Sequence, residues 1–289
     1  MRRQFILFVF LFSSALGAKS QGSTALIEAR SSFENAKYAE ALSSLNKIIE
    51  SDQAEFEVWL LQGDCLQKEE KFVAATQAYK KAEQENNQSA LLYANWSAAL
   101  YNLEQIKEGE KQAKTALKLD PDLPEANYFM GNLKHFGYNL VAALKYYNTA
   151  IKIRPTYRDA LYMRAATHAE LANYSDAIRD YQLVLELDPN LEVAKYNIGV
   201  IQLVTESYDE AAKTFAELNP ENLDKKKDFY FYKAEALYFA GDKEKACEYY
   251  EKAKSLGDTE SAEIYQKYCI EKAERDEPEE KTRTIRATF

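Results

Sequence analysis

The segment "LKLDPDLPEA" at residues 117–126 returns as "IKIRPTYRDA" at residues 151–160 and as "LELDPNLEVA" at residues 185–194. Each segment has apolar residues at its first and third positions, a proline at its fifth and an alanine at its tenth. The three segments start 34 residues apart, so the chain repeats a unit of this length. A fixed period of this size is typical of repeat architectures, in which neighbouring units stack to share a continuous core.

Three columns of residues carry the period along seven units. The first column consists of small residues, Ala29, Gly63, Ser97, Gly131, Ala165, Gly199 and Ala234. The second column follows twelve residues later with Ala41, Ala75, Gly109, Ala143, Ala177, Ala211 and Ala246. The third column is mostly large and aromatic, four residues further on, with Leu45, Tyr79, Ala113, Tyr147, Tyr181, Phe215 and Tyr250. The last step is 35 residues instead of 34, which indicates one inserted residue near "NPENLDKKK" at residues 219–227.

Each unit predicts a hairpin of two helices. Apolar residues recur at three- and four-residue spacing, as in "YAEALSSLNKII" at residues 38–49 and "YSDAIRDYQLVL" at residues 174–185. Small residues at fixed places let two helix backbones approach closely, and the large residue one turn later fills the space beyond the contact. Pro121, Pro155 and Pro189 are expected to end the second helix of a unit, because proline has no N–H to donate.

This pattern resembles the tetratricopeptide repeat family, which combines an early aromatic residue, a small residue, a later alanine, an aromatic residue and a closing proline. The matching residues are Trp59, Gly63, Ala75 and Tyr79 in the second unit and Gly131, Ala143, Tyr147, Ala150 and Pro155 in the fourth. The resemblance covers residues 22–258 and implies an all-α fold, an α-solenoid of about seven repeats. It also implies a right-handed superhelix with the first helices on the concave side. The third unit is expected to pack less tightly, because it has Gly109 and Ala113 where larger residues are usual.

The two ends of the chain have their own patterns. Residues 1–20, "MRRQFILFVFLFSSALGAKS", have two arginines, an apolar run and small residues for cleavage, which predicts a signal peptide and export to a periplasmic or extracellular space. No membrane contact is indicated once this segment is removed. Residues 259–275 predict a capping helix over the last exposed face of the repeats. Residues 276–289 are expected to be a flexible charged tail.

Composition excludes several classes of function. The 46 acidic residues against 37 basic residues give a net charge of −9, which would repel nucleic acid and anionic membranes. With two histidines in the chain and no glycine-rich phosphate loop, the sequence predicts no enzyme, no metal site, no cofactor and no small-molecule substrate. His168 is expected on the packing side of its helix.

The three cysteines leave an open question. In an oxidising compartment, Cys247 and Cys269 could close a loop of 22 residues by a disulfide. The alternative is that all three cysteines are small buried apolar side chains, which is the preferred interpretation for Cys65.

The first helices predict a binding surface for a peptide or protein segment. The side chains expected to point away from the packing columns are Tyr101, Asn102, Tyr128, Asn132, His135, Phe136, Tyr162, Tyr196, Val200, Leu203, Phe231, Tyr238 and Phe239. Tyrosine and phenylalanine bury large areas at little entropic cost, and asparagine can bind the backbone of an extended peptide. The competing interpretation is that about half of the rings pack against the next hairpin.

Three functional hypotheses follow from this surface. The preferred one is an exported, non-enzymatic scaffold that mediates protein–protein interaction by binding a segment of a partner in the aromatic concave groove. The alternatives are a structural component of a cell-envelope assembly that uses its edges and tail, and a glycan-binding protein that uses the groove aromatics. Heat-shock co-chaperones of the family clamp a terminal carboxylate with cations at a recurrent groove place, which is occupied here by Leu60, Ala94, Tyr128, Tyr162 and Tyr196. A carboxylate ligand is therefore disfavoured.

Overall fold

The computed structural model describes residues 24–51, 54–223 and 225–271, and helices account for most of them. They form two compact units, one ending at Arg154 and the other beginning at Pro155. The predicted signal peptide at residues 1–20 and the predicted tail at residues 276–289 lie outside the described residues.

The first unit consists of four helical hairpins. Its helices are α1 (residues 24–34), α2 (Tyr38–Glu50), α3 (Phe56–Lys68), α4 (Phe72–Glu85), α5 (Ala90–Asn102), α6 (Ile106–Leu119), α7 (Pro124–Phe136) and α8 (Leu140–Ile153). Odd-numbered helices are the first helices of their hairpins and even-numbered helices are the second. The helix α6 ends two residues before Pro121, and α8 ends two residues before Pro155, as the sequence predicts.

The second unit consists of three hairpins and a terminal helix. Its helices are α9 (Arg158–Glu170), α10 (Tyr174–Leu187), α11 (Glu192–Val204), α12 (Tyr208–Ala216), α13 (Lys226–Phe239), α14 (Lys243–Ser255) and α15 (Thr259–Ile264). The inserted residue falls between α12 and α13, where α12 ends early and a short 3-10 turn at Pro220–Asn222 follows. In the described part of the chain, the predicted all-α fold of paired helices is confirmed.

The three predicted columns form the core between the two helices of each hairpin. Every member of each column is buried. At Gly131 the backbone touches the ring of the fully buried Tyr147, and a Cβ atom added there would lie 2.5 Å from Cε1 of that ring. The same contact occurs between Gly63 and Tyr79. The small residue is therefore required because the aromatic ring of the second helix occupies the space that a side chain would need.

The turn between the two helices has the same conformation in seven hairpins. One residue in each turn has a positive φ, and these residues are Ala36, Glu70, Glu104, Tyr138, Ala172, Glu206 and Gly241. In the second hairpin, the N–H of Glu70 donates to the carbonyl of Gln67, and the N–H of Lys71 donates to the carbonyl of Leu66. This is the Schellman arrangement that satisfies the last carbonyls of a helix. Non-glycine residues in this conformation cost about 1 kcal/mol each, which the turn hydrogen bonds offset.

The third hairpin is filled by residues of the next one. Ala113 is fully buried in a cluster with Met130 and Leu133, which belong to the first helix of the fourth hairpin. A Cβ atom on Gly109 would lie 2.9 Å from Cδ2 of Leu133. Larger side chains from α7 therefore occupy the space that the small residues of this hairpin leave.

The terminal helix is not a uniform α-helix, which differs from the prediction for residues 259–275. After α15 the chain continues as a π-helical segment at Tyr265–Glu271, and residues 272–275 lie outside the described part. In an α-helix, residues five apart point to nearly opposite sides. The π-helix bonds residues five apart. It therefore brings Cys269 to the same side as the buried Ile264, where Cys269 forms a disulfide with Cys247 of α14 across a Cα–Cα distance of 5.8 Å.

We expect the substitution Gly131→Ala to destabilise the first unit by about 1–3 kcal/mol, because the new methyl group would overpack against the ring of Tyr147. Denaturant unfolding followed by tryptophan fluorescence measures this, since both tryptophans, Trp59 and Trp96, lie in the first unit.

The matched control is Gly137→Ala. Its added Cβ atom would meet backbone oxygens at 3.6 Å and 3.7 Å, which is ordinary contact, and its φ of −79° suits alanine. We expect a change within about 0.5 kcal/mol for this variant. Equal unfolding midpoints for the two variants would contradict the close contact at Gly131.

Candidate functional site

Buried tyrosines of the second helices anchor polar groups on the first helices. The tyrosine hydroxyl donates to a residue on the first helix of its own hairpin in three pairs, Tyr79–Asp64 (2.8 Å), Tyr147–Asn132 (2.8 Å) and Tyr250–Glu235. Each acceptor directly follows the small residue of the first column. A buried tyrosine hydroxyl needs a hydrogen-bond partner, so the core ring and the polar residue occur together.

The third and sixth hairpins lack this hydroxyl and have an apolar residue in place of its partner, whereas the first hairpin combines Leu45 with the exposed Arg30. Where the third column holds Ala113, the corresponding first-helix residue is Ala98, and where it holds Phe215 the residue is Val200. In the third and sixth hairpins the hydroxyl and its polar partner are therefore absent together.

Two asparagines tie a first helix to the hairpin before it. Asn95 of α5 donates through Nδ2 to Oδ1 of Asp64 at 2.8 Å. Asn197 of α11 donates to the hydroxyl of Tyr181 at 2.9 Å and to that of Tyr162 at 3.2 Å. Both asparagines lie two residues before the first column, a shared position that could have identified them from the sequence. Neither they nor Asp64 were among the predicted binding residues.

In the first unit, three of the predicted binding residues, Tyr101, Asn102 and Phe136, remain at least partly accessible. Phe136 is 43% exposed, and its ring meets that of the half-buried Tyr101 edge-on, with centroids 6.0 Å apart. The exposed Asn102 donates to the carbonyl of Ala98 in its own helix.

The other three predicted residues of the first unit lie on α7 and are less exposed. Tyr128 and His135 are half-buried, and the ring of Tyr128 packs 6.3 Å from that of Tyr147. Asn132 is buried and accepts the hydrogen bond of Tyr147.

In the second unit, the predicted residues divide between core and surface. Val200 and Leu203 are fully buried, and Tyr196 and Phe231 are nearly so, which makes them part of the hydrophobic core. Three half-buried residues retain accessible ring surface, and these are Tyr162, Tyr238 and Phe239. The ring of Tyr238 meets that of Tyr268 in the terminal segment edge-on, with centroids 5.8 Å apart. The ring of Phe239 stacks on that of Tyr208, with centroids 4.9 Å apart.

The carboxyl group of Asp64 on α3 has a perturbed pKa. Burial raises the pKa of Asp64 from 3.8 to about 6, although the hydrogen bonds from Tyr79 and Asn95 act in the opposite direction. A carboxyl with such a pKa changes its charge near neutral pH. Its charge therefore varies at the place where the second and third hairpins are joined by a hydrogen bond.

The thiol of Cys65 is poorly suited to act as a nucleophile. Burial raises the pKa of the Cys65 thiol to about 12, which keeps it protonated and unreactive. His168 is half-buried, and burial lowers its pKa. Within residues 24–51, 54–223 and 225–271, no group of three or more His, Cys, Asp or Glu side chains is arranged to hold a metal ion. A search of the same residues finds no helix with the length and apolar character of a membrane span.

The hairpins and their aromatic first-helix faces define a helical-repeat protein of the interaction-scaffold type. Three family models, each described as a tetratricopeptide repeat, match residues 28–90, 158–191 and 228–256. The chain is a tetratricopeptide repeat protein.

Known proteins with similar sequence or structure agree with this assignment. Hsp70-Hsp90 organizing protein 1 of Glycine max is 26% identical over 146 residues, which cover 50% of this chain and 24% of that protein. The match thus spans about a quarter of that relative's length. A tetratricopeptide repeat protein from Parabacteroides merdae superposes with a TM-score of 0.58 at 15% identity, covering 86% of this chain and 98% of that one. YrrB, described as having an unusual peptide-binding site, gives a TM-score of 0.57 at 24% identity and covers 66% of this chain and 99% of its own.

The raised pKa of Asp64 predicts how pH affects stability. Its contribution to stability is fully present below about pH 4 and is lost as pH rises through about 6, because the folded state holds the proton more tightly. A shift of about two pKa units corresponds to about 3 kcal/mol. We expect wild type to lose up to this much stability relative to Asp64→Asn between pH 4 and pH 7.5, measured by tryptophan fluorescence during urea unfolding.

The control for this experiment is Glu85→Gln, which removes an exposed carboxylate at the end of α4. This variant should follow the wild-type pH dependence. If the free energy of unfolding depends on pH in the same way for wild type and Asp64→Asn, the raised pKa of Asp64 is refuted.

Proposed function

We propose that the protein is an exported, non-enzymatic scaffold that binds a segment of a partner protein along the aromatic faces of its first helices, without a cofactor. The observation that carries this proposal is the retention of partly exposed rings on these helices, with Tyr101 and Phe136 in the first unit and Tyr162, Tyr238 and Phe239 in the second. Rings held on rigid helices lose little conformational entropy on binding, which makes them effective anchors for a partner.

The hydrogen-bonded amides add a polar component to this surface. The amide of Asn197 is fixed between two tyrosine hydroxyls, and that of Asn132 is fixed by Tyr147. Fixed polar groups beside aromatic rings favour one orientation of a bound peptide, because a misaligned peptide would leave them unsatisfied.

The relatives support the scaffold role without identifying the partner. The name of the Glycine max protein states that it organises Hsp70 and Hsp90, and YrrB is described as having an unusual peptide-binding site. At the groove place where chaperone-binding members have cations, this chain has Leu60, Ala94, Tyr128, Tyr162 and Tyr196. We therefore propose a partner segment that does not depend on a terminal carboxylate.

Two observations support export. Residues 1–20 have the pattern of a signal peptide. The disulfide between Cys247 and Cys269 is a feature of proteins that fold in oxidising compartments.

Export predicts one free thiol per chain, that of Cys65, in protein isolated from its natural source and denatured under nonreducing conditions. Mass spectrometry after alkylation measures this and also gives the first residue of the mature chain. Three alkylated cysteines together with an intact residue 1 would contradict export.

The groove proposal is tested with a partner identified by crosslinking in the source cells and then purified. Phe136 lies in the first unit and Tyr162 in the second. We expect the alanine variant in the unit that binds the partner to weaken binding about tenfold or more, a loss of about 1.4 kcal/mol of binding free energy. Isothermal titration calorimetry measures the affinity, and circular dichroism confirms that each variant is folded.

Exposed apolar residues on second helices provide the controls. Val141→Ala on α8 and Leu183→Ala on α10 remove side chains that are 73% and 37% exposed, and we expect their affinities to stay within about twofold of wild type. Loss of binding in these variants, with full binding in both first-helix variants, would place the partner on the opposite surface and overturn the proposal.

A further inference from the structure

The last described segment of the chain, residues 259–271, packs against the final hairpin and is termed the terminal strap. It consists of the six-residue helix α15 and the π-helical turn at Tyr265–Glu271. The ring of Tyr268 in this strap meets the ring of Tyr238 on α13 edge-on, with centroids 5.8 Å apart. Tyr238 is one of the half-buried aromatic residues of the first-helix surface, so the strap covers part of that surface.

The terminal strap buries few of its own side chains. Among those that the structure describes, Ser261 and Ile264 are buried, and the rest are half-buried or exposed. The buried hydroxyl of Ser261 makes no hydrogen bond to another described residue, which costs stability. Helices shorter than about 12 residues are marginal on their own, and π-helical turns are rare. The position of the strap therefore depends on a further constraint.

The disulfide between Cys247 and Cys269 supplies this constraint. It joins the π-helical turn of the strap to α14 across a Cα–Cα distance of 5.8 Å. Because Cys269 directly follows Tyr268, the bond that fixes Cys269 also keeps the ring of Tyr268 against Tyr238. Both cysteines are half-buried, and their remaining exposure gives a reductant access to the bond.

We infer that the terminal strap is a redox-controlled cover, which the disulfide holds closed over Tyr238 and which reduction by a dithiol opens. A thiolate of the dithiol attacks one sulfur of the disulfide, and its second thiol resolves the mixed disulfide. The bond between Cys247 and Cys269 breaks, each cysteine gains one electron and one proton, and the dithiol is oxidised to a disulfide. The uncovered ring of Tyr238 is then available to a partner, a consequence that rests on the proposed function.

Hydroxyl-radical footprinting read by mass spectrometry tests the inference, because it measures the accessibility of individual side chains. The full chain is compared in its disulfide form and after reduction, alkylation of the thiols and removal of the reductant. We expect reduction to raise the modification rate of Tyr238 about threefold or more and to leave that of Tyr162 on α9 unchanged. Backbone hydrogen exchange of residues 259–271 should become at least about tenfold faster in the reduced form.

Cysteine variants separate loss of the disulfide from other effects of the reductant and of alkylation. The double variant Cys247→Ser with Cys269→Ser should show the exposed Tyr238 of the reduced form and no further response to the reductant. Cys65→Ala removes the free thiol, keeps the disulfide and should respond as wild type does.

A second pair of variants tests the covering ring itself. Tyr268→Ala should raise the modification rate of Tyr238 while the disulfide is intact, because the ring that meets it is removed. Glu263→Ala removes an exposed side chain of the same strap and should leave Tyr238 as it is in wild type.

Four results would overturn the inference. These are equal modification of Tyr238 in the disulfide and reduced forms, unchanged hydrogen exchange of the strap on reduction, and equal effects of Tyr268→Ala and Glu263→Ala. The fourth is a rise at Tyr162 as large as that at Tyr238, which would show general unfolding in place of local opening.

Partner binding distinguishes this inference from the proposed function. In calorimetry with the purified partner, the double serine variant should bind about threefold more tightly or better than the disulfide form, because the partner no longer displaces the strap. Equal affinities would overturn control of binding by the strap, and the proposed function would stand if Phe136→Ala or Tyr162→Ala still weakened binding. Footprinting needs no partner, so the opening of the strap is tested even if the proposed function fails.

Discussion

The close approach of the two helices in each hairpin is the constraint on which the rest of the structure depends. In the second, fourth and sixth hairpins, an aromatic ring of the second helix lies directly on a glycine of the first, where any side chain would collide with it. Alanines of the second column are fully buried at the same interface. The repeat period reflects this close approach, because every hairpin places small buried residues at the same two positions.

This packing also determines the chemistry of the surface. A tyrosine in the core brings a hydroxyl that needs a partner, and the partner is an Asp, Asn or Glu on the first helix or an asparagine of the next hairpin. Stability and the candidate binding surface are therefore coupled, since the groups that satisfy the core also hold the polar side chains of the first helices. The raised pKa of Asp64 is a consequence of the same burial.

The large apolar and aromatic residues of the first helices in the second unit fall into two groups. Tyr196, Val200, Leu203 and Phe231 fill the core of the second unit, whereas Tyr162, Tyr238 and Phe239 keep part of their rings accessible. Arg164 forms an ion pair with Asp180 of α10, and Lys233 lies over the ring of Tyr249 on α14, so both cations engage second helices.

The sequence by itself determined which segments are helices, which two helices form each hairpin and which residues pack between those two helices. Period, column composition and proline positions are local properties, and the structure has the small and large columns buried and the second helices ending before Pro121 and Pro155. The pairing of Cys247 with Cys269 could not be chosen from spacing, because a disulfide also depends on the π-helical turn that orients Cys269. Only the tertiary structure decided which first-helix residues remain accessible and which groups Asn95 and Asn197 bind in the hairpin before them. The position of a residue along its helix fixes the direction in which its side chain leaves the helix axis. The packing of the neighbouring hairpin then decides whether that side chain is exposed to solvent or buried in the core.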